Sequence, residues 1–169
     1  MQNPSAYVIH RFFIEQTARP RVEEKYPSAN WKRVWRNIAV KTITSPQRSL
    51  LYAWVNEKIP HRRLLNIIRR VDGEECLLCG APVEDLTHKF FSCRRVSEAY
   101  ILLQNKLAQI TDDWRRIDVQ NLLRPALECF GPAVRKRVLI TLTRYITFIC
   151  ECDGNIDERA LEFELNLDI

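Results

Sequence analysis

Long apolar runs, export signals and catalytic constellations are all missing from this chain. No stretch approaches the roughly 20 consecutive apolar residues that cross a bilayer; the most apolar part, Val138–Cys150, is interrupted by Arg144. A helical membrane span is therefore not expected, nor a membrane partner. No secretory or lipidation signal is read, so the expectation is an intracellular, reducing environment in which disulfides are disfavoured. Histidine is scarce, with three residues. No convergent set of acid, base and nucleophile stands out, which argues against an enzyme.

What is present belongs to a folded protein. The 169 residues suit one domain, or one domain with a tail, and can build a core without disulfides. Hydrophobic content of 46% and four tryptophans set the chain apart from a disordered one. The net charge of +5 is unevenly spread. Glu151 to Ile169 carry seven acids and one arginine, a net of −6, while the first 150 residues hold 25 basic and 14 acidic residues, a net of +11. A basic body with an acidic tail points to an anionic partner, RNA or DNA first. A merely well-solvated surface is the plainer reading of the same charges.

The chain is organised around Cys76–Cys93. It reads C-x2-C-x8-H-x4-C, with Cys76, Cys79, His88 and Cys93 offering three sulfurs and one imidazole. Four N/S ligands make a closed tetrahedral zinc site, so Zn2+ is the expected cofactor. Gly80 and Pro82 favour a turn after the Cys-x-x-Cys pair. The stretch His88–Cys93 reads as a first helical turn with Phe90 or Phe91 inward. Ordinary buried cysteines beside a surface histidine are the alternative, since free cysteine often acts as a small hydrophobe; a disulfide framework is a second. The gap before the histidine is longer than in a retroviral zinc knuckle, so a knuckle's nucleic-acid chemistry does not transfer directly.

Around that stretch the periodicity is helical. Residues 1–27 read as an N-terminal segment and linker, with a short helix over Val8, Phe12 and Glu15 and an exposed stretch near Arg19–Lys25. Residues 28–152 read as the helical domain. Trp31, Val34, Trp35 and Ile38 form one stripe, capped by Ser28 or Asn30, and the two tryptophans are expected in the core, base-stacking platforms being the other reading. Ser45-Pro46 opens a second helix, with Leu50, Leu51, Trp54 and Val55 inward. A third helix, His61–Arg70, would turn Leu64, Leu65, Ile67 and Ile68 inward, with His61 on the surface. Arg62, Arg63, Arg69 and Arg70 put four arginines in nine residues there, the densest basic patch. After the metal stretch a helix to about Gln109 is expected from Val96, Tyr100, Leu103 and Leu107. Arg94 and Arg95 at its start oppose the helix dipole unless they serve an anionic ligand or the metal centre. A further helix is expected over Leu122–Phe130, preceded by Asp112, Asp113 and Asp118. The longest runs from Pro132 to about Cys152, with Val134, Val138, Leu142, Tyr145 and Ile149 inward and Arg135, Lys136, Arg137 and Arg144 outward. Cys129, Cys150 and Cys152 read as core thiols. Residues 153–169 form an acidic tail in which Leu161, Phe163, Leu165, Leu167 and Ile169 alternate with polar residues. That period of two predicts a strand docking on a protein partner, a second copy or the domain itself. A disordered acidic-hydrophobic tail is the other reading.

Trp31-x3-Trp35, Arg48–Trp54, Asn56-x-x-Ile59-Pro60-His61-Arg62, Leu64-Leu65, Cys76-x2-Cys79, Glu84 and His88-x-Phe90-x2-Cys93 make a longer pattern. It resembles the C-terminal zinc-binding domain of reverse transcriptases from non-long-terminal-repeat retrotransposons, over about Trp31 to Leu107. The resemblance implies that Cys76, Cys79, His88 and Cys93 are the ligands. It also implies a role in holding template RNA or target DNA during target-primed reverse transcription, and a nuclear or nucleocytoplasmic location. The Tyr-x-Asp-Asp polymerase signature and any endonuclease constellation are missing, so the chain would be a non-catalytic fragment of an element's second open reading frame, or a host protein derived from one.

The expectation is thus a mostly α-helical domain with a small embedded Cys3His zinc finger. It would bind nucleic acid through Arg62, Arg63, Arg69, Arg70, Arg94, Arg95, Arg135, Lys136 and Arg137. The alternative is a protein-interaction adaptor, or homodimer, acting through Leu161, Phe163, Leu165 and Leu167.

Overall fold

The computed structural model describes residues 21–152 and 156–167. The structure is mostly helical, with no strand among the described residues. In chain order the helices are α1 (Arg21–Lys25), α2 (Trp31–Ile38), α3 (Ser45–Val55), α4 (Arg62–Ile67), α5 (Ser97–Ile110), α6 (Val119–Leu123), α7 (Pro132–Glu151) and α8 (Glu158–Asn166), with a π-helical turn over His88–Ser92 and a 3-10 turn over Trp114–Arg116.

The caps explain where the helices start. The Asn30 side chain accepts from the Arg33 amide at the head of α2. Thr44 and Gln47 form a reciprocal capping box on α3, with Pro46 in its first turn. Asp118 accepts from the Asn121 amide at 2.7 Å and starts α6. The core forms where α5, α7 and α8 pack together, with α3 against α7 and α2 against α3. Helix α7 is central, as its periodicity predicts: Val138, Leu142, Tyr145 and Ile149 are all buried, and Val134 lies half-buried at its N-terminal end. Two polar contacts lock distant segments. The Trp54 indole donates to the Leu122 carbonyl at 2.8 Å, and the buried Asn37 amide donates to the Pro125 and Ala126 carbonyls.

Several sequence expectations are corrected. The acidic tail is not a strand. Asp157 caps it, and Leu161 and Leu165, four residues apart, are buried against the core. The alternating leucines contain this i, i+4 pair, and Glu, Ala and Leu favour helix. Docking on the domain's own surface is what occurs, as helix α8. Arg21–Lys25 is a helical turn, not an exposed linker, since Val22 is buried. The segment around Val8, Phe12 and Glu15, and Ile169, lie outside the described residues. Helix α4 stops at Ile67, leaving Ile67 66% and Ile68 40% exposed. Arg69 then turns left-handed at φ 56°, and the Arg70 amide reaches back to the Leu65 carbonyl at 2.8 Å. Helix α6 ends at Leu123, because Pro125 disfavours helix at Arg124. Cys129 and Cys150 are exposed and Cys152 is half-buried, so none is a core thiol.

Candidate metal centre

The two ligand pairs come from two differently anchored pieces of backbone. Cys76 and Cys79 sit on a tight turn within Glu74–Glu84. The Cys76 amide donates to the Ala81 carbonyl, and the Gly80 amide to the Cys76 carbonyl, both at 2.8 Å; Glu84 pairs with Glu74 at 2.7 Å. Gly80 takes φ +75°, a left-handed value that glycine adopts without strain. The turn hangs on α4 through the Arg63 amide, which donates to the Glu84 carbonyl at 3.0 Å.

His88 and Cys93 lie at the two ends of the π turn. It is closed by the Cys93 amide donating to the His88 carbonyl at 2.9 Å, and its start is held by the His88 amide donating to Asp85 Oδ1 at 2.8 Å. The wide i to i+5 loop lets consecutive residues face inward, so both Phe90 and Phe91 are buried. Phe90 meets Trp54 edge-on at 4.8 Å; Phe91 stacks on Tyr145 at 6.2 Å and meets Tyr100 at 5.3 Å. The Tyr145 hydroxyl donates to the Phe90 carbonyl, tying the turn to α7.

These pieces bring Cys76 Sγ, Cys79 Sγ, His88 and Cys93 Sγ together, all four ligand atoms within 4.8 Å of one another. Cys76 and Cys93 Sγ are 3.9 Å apart, and Cys79 Sγ is 3.2 Å from His88 Nε2. Cys76 and Cys93 are buried; Cys79 and His88 are half-buried. Burial pushes the Cys76 thiol up to about 12, against the pull of the Leu78 and Cys79 amides. Burial likewise raises Cys93, opposed by the Arg95 amide, while the Ala81 amide lowers Cys79. Nearby backbone amides favour the thiolate form at all three sulfurs, the form a metal binds. A cation entering this group must displace protons from Cys76 and Cys93. The four residues form a group able to hold a metal ion, embedded in a helical domain.

A cavity of about 210 Å³ adjoins the group, lined among others by Cys76, Cys93, Glu84, Lys89 and Cys150. Sequence reasoning passed over several residues here. His61, expected on the surface, is buried; its Nδ1 accepts from the Leu64 amide at 3.2 Å and lies 3.1 Å from the Glu84 carbonyl. Glu84 is itself buried, and its Oε1 accepts from the Arg62 amide at 3.0 Å. Asp85, three residues before His88, was readable as a local cap.

The arginines expected to bind phosphate divide. Arg62 is half-buried: Nη2 donates to the Asp72 carbonyl at 2.9 Å and lies 3.5 Å from Glu75, so it is bound into the finger. Arg63 is 3.8 Å from Glu74. Arg69, Arg70, Arg94 and Arg95 are exposed; the last two precede α5, with Arg95 next to its cap residue Val96, so both sit at the positive end of the helix dipole. Helix α7 reaches the metal-side cavity at Ile149 and Cys150, which puts Arg135, Lys136 and Arg137 roughly 20 Å away along its axis at 1.5 Å per residue. Arg135 donates to the Phe130 carbonyl at 2.9 Å, Lys136 is half-buried and Arg137 is exposed. The nine side chains therefore do not form one surface with the metal group. On the tail, Leu161 and Leu165 are consumed by the core, whereas Phe163 is 66% and Leu167 38% exposed.

No helix of the described residues is long and apolar enough to cross a membrane. Comparison with protein-family models, with curated proteins and with solved structures finds no match to this chain.

Proposed function

We propose that this chain is a zinc-dependent, non-catalytic nucleic-acid-binding module, of the kind at the C-terminal end of non-long-terminal-repeat retrotransposon reverse transcriptases, acting in the nucleus. The convergence of Cys76, Cys79, His88 and Cys93 carries the reading. Zinc bonds of about 2.3 Å to sulfur and 2.0 Å to nitrogen give tetrahedral edges of about 3.8 Å between sulfurs and 3.5 Å from sulfur to nitrogen. The separations of 3.9 Å and 3.2 Å lie close to those edges. With all four ligands from protein, no coordination position is left for a substrate or water, so the metal supplies shape and not hydrolysis. The net +11 of the first 150 residues supports an anionic partner.

Metal content of the purified chain, read beside a salt titration of RNA and DNA binding, tests the proposal. One zinc per chain is expected, lost in Cys79→Ser, with an affinity that falls steeply with salt. One zinc without binding at low salt would favour a protein adaptor instead. Exposed Phe163 on α8 and Leu167 just after it support that second reading, and Phe163→Ala would then weaken partner capture.

A further inference from the structure

Three aromatic rings form a row away from the metal group. Trp31 and Trp35 stack with centroids 5.6 Å apart and planes at 27°, and Trp35 meets Tyr52 of α3 at 5.7 Å and 36°. The polar edges of both indoles are tied inward: Trp31 Nε1 donates to the Tyr26 carbonyl at 2.9 Å, and Trp35 Nε1 to Glu23 Oε1 at 2.6 Å. Both indole rings pack against the core without being enclosed by it. Trp31 and Trp35 are half-buried, and Tyr52 is 43% exposed.

The segment that carries the row is basic. From Ser28 to Asn56 the chain has no acidic residue and carries Lys32, Arg33, Arg36, Lys41 and Arg48. Lys32 and Arg36 each follow one of the tryptophans and are exposed. Among the described residues no carboxylate lies within ion-pair distance of either. Two nearby carboxylates are engaged: Glu23 with Trp35, and Glu57 with Lys25 and Tyr26. The finger arginines are different, since Arg62 and Arg63 face Glu75 and Glu74.

We propose that Trp31, Trp35 and Tyr52 form a stacking platform for single-stranded nucleic acid, with Lys32 and Arg36 contacting its phosphates; this rests on the nucleic-acid reading above. A duplex hides its base faces in its own stack, whereas a single strand offers them to aromatic rings. Rings flanked by unpaired cations match that chemistry without needing base-edge readout.

The test is fluorescence anisotropy with a labelled oligothymidylate of about 12 nucleotides and a duplex of equal length. The wild-type chain should prefer the single strand. Tyr52→Ala should weaken that binding about tenfold or more, while Tyr52→Phe keeps it. Lys32→Glu with Arg36→Glu should weaken it further and lower the salt dependence by about two phosphate contacts. Arg69→Ala with Arg70→Ala should change little. Retained metal and an unchanged far-ultraviolet spectrum establish that each variant is folded. Full strand binding by the Tyr52→Ala and Lys32/Arg36 variants, with loss in Arg69/Arg70→Ala, overturns the platform and leaves the nucleic-acid reading standing. A wild-type chain that binds neither probe at low salt overturns both.

Discussion

Tyr145→Phe is the most informative single change. The ring is fully buried and stacks on Phe91, and the hydroxyl donates to the Phe90 carbonyl in the turn between His88 and Cys93. Phenylalanine keeps the ring and removes one neutral buried hydrogen bond, at a cost of about 1–2 kcal/mol. With a urea m-value of about 2 kcal/mol/M, the midpoint should fall by about 0.5–1 M with m unchanged. Because the same turn carries two of the four candidate ligands, metal affinity measured by chelator competition should fall by up to about thirtyfold where folding and metal binding are coupled. The alkaline limb offers a second readout. Burial raises the Tyr145 phenol above its ordinary value. Its contribution is therefore complete below about pH 10, where unfolded tyrosine keeps its proton, and is lost as pH rises above that. Tyr145→Phe should flatten part of that alkaline loss and leave the part due to Tyr100, which burial also raises. An unchanged urea midpoint together with unchanged metal affinity would refute the claim that this hydroxyl anchors the ligand turn.

Two other changes probe separate parts of the fold. Burial lowers His61, so its stabilisation is present above the unfolded value near pH 6.5 and is lost as pH falls below it. His61→Asn keeps a capping acceptor for α4 and should show a shallower loss of melting temperature between about pH 7.5 and 5.5 than the wild-type chain; every other group is common to both proteins, so the difference between the two curves isolates His61. On α8, Leu161→Ala should cost about 2–5 kcal/mol because the side chain is fully buried, whereas exposed Phe163→Ala should stay within about 0.5 kcal/mol. Equal effects in urea denaturation would mean that α8 is not packed by its Leu161–Leu165 face.

The convergence of Cys76, Cys79, His88 and Cys93 was legible because its information is local: three sulfurs and one imidazole at short spacings. Helices α2 and α3 were legible too, since a cap residue and a period near 3.6 coincide in each, and α5 and α7 were legible from the period, with Pro132 marking the start of α7. Helix α8 was misread because Leu161, Phe163, Leu165 and Leu167 satisfy a period of two and also contain a helical i, i+4 pair. Only the core on one side decides between them. The partners of Arg62 were not legible for a different reason. Whether Arg62 is free to meet phosphate depends on where Asp72 and Glu75 land after the chain turns at Gly73, whose φ is +82°. His61 illustrates the same limit, for its burial is set by Glu84, 23 residues away. Trp31 and Trp35 fell between the two readings their spacing allowed, with one edge bonded inward and the rings half-buried.

The contrast between the two ligand-bearing segments has a consequence for chain entropy. His88 and Cys93 are fastened to α3, α5 and α7 through Phe90, Phe91 and Tyr145, while the Cys76–Cys79 turn is held to α4 by one main-chain bond, Arg63 to Glu84, and by side-chain contacts of Arg62, Arg63 and Asn66. An ion joining them would act as a cross-link, closing the loop from Cys76 to Cys93. By the loop-closure relation used for disulfides, that restricts the unfolded chain by about 3 kcal/mol. Removing the ion would release the Glu74–Glu84 segment first and leave the aromatic cluster assembled. Amide exchange should then divide sharply at Asp85, with protection on the cysteine-turn side following metal occupancy and protection on the other side following the core.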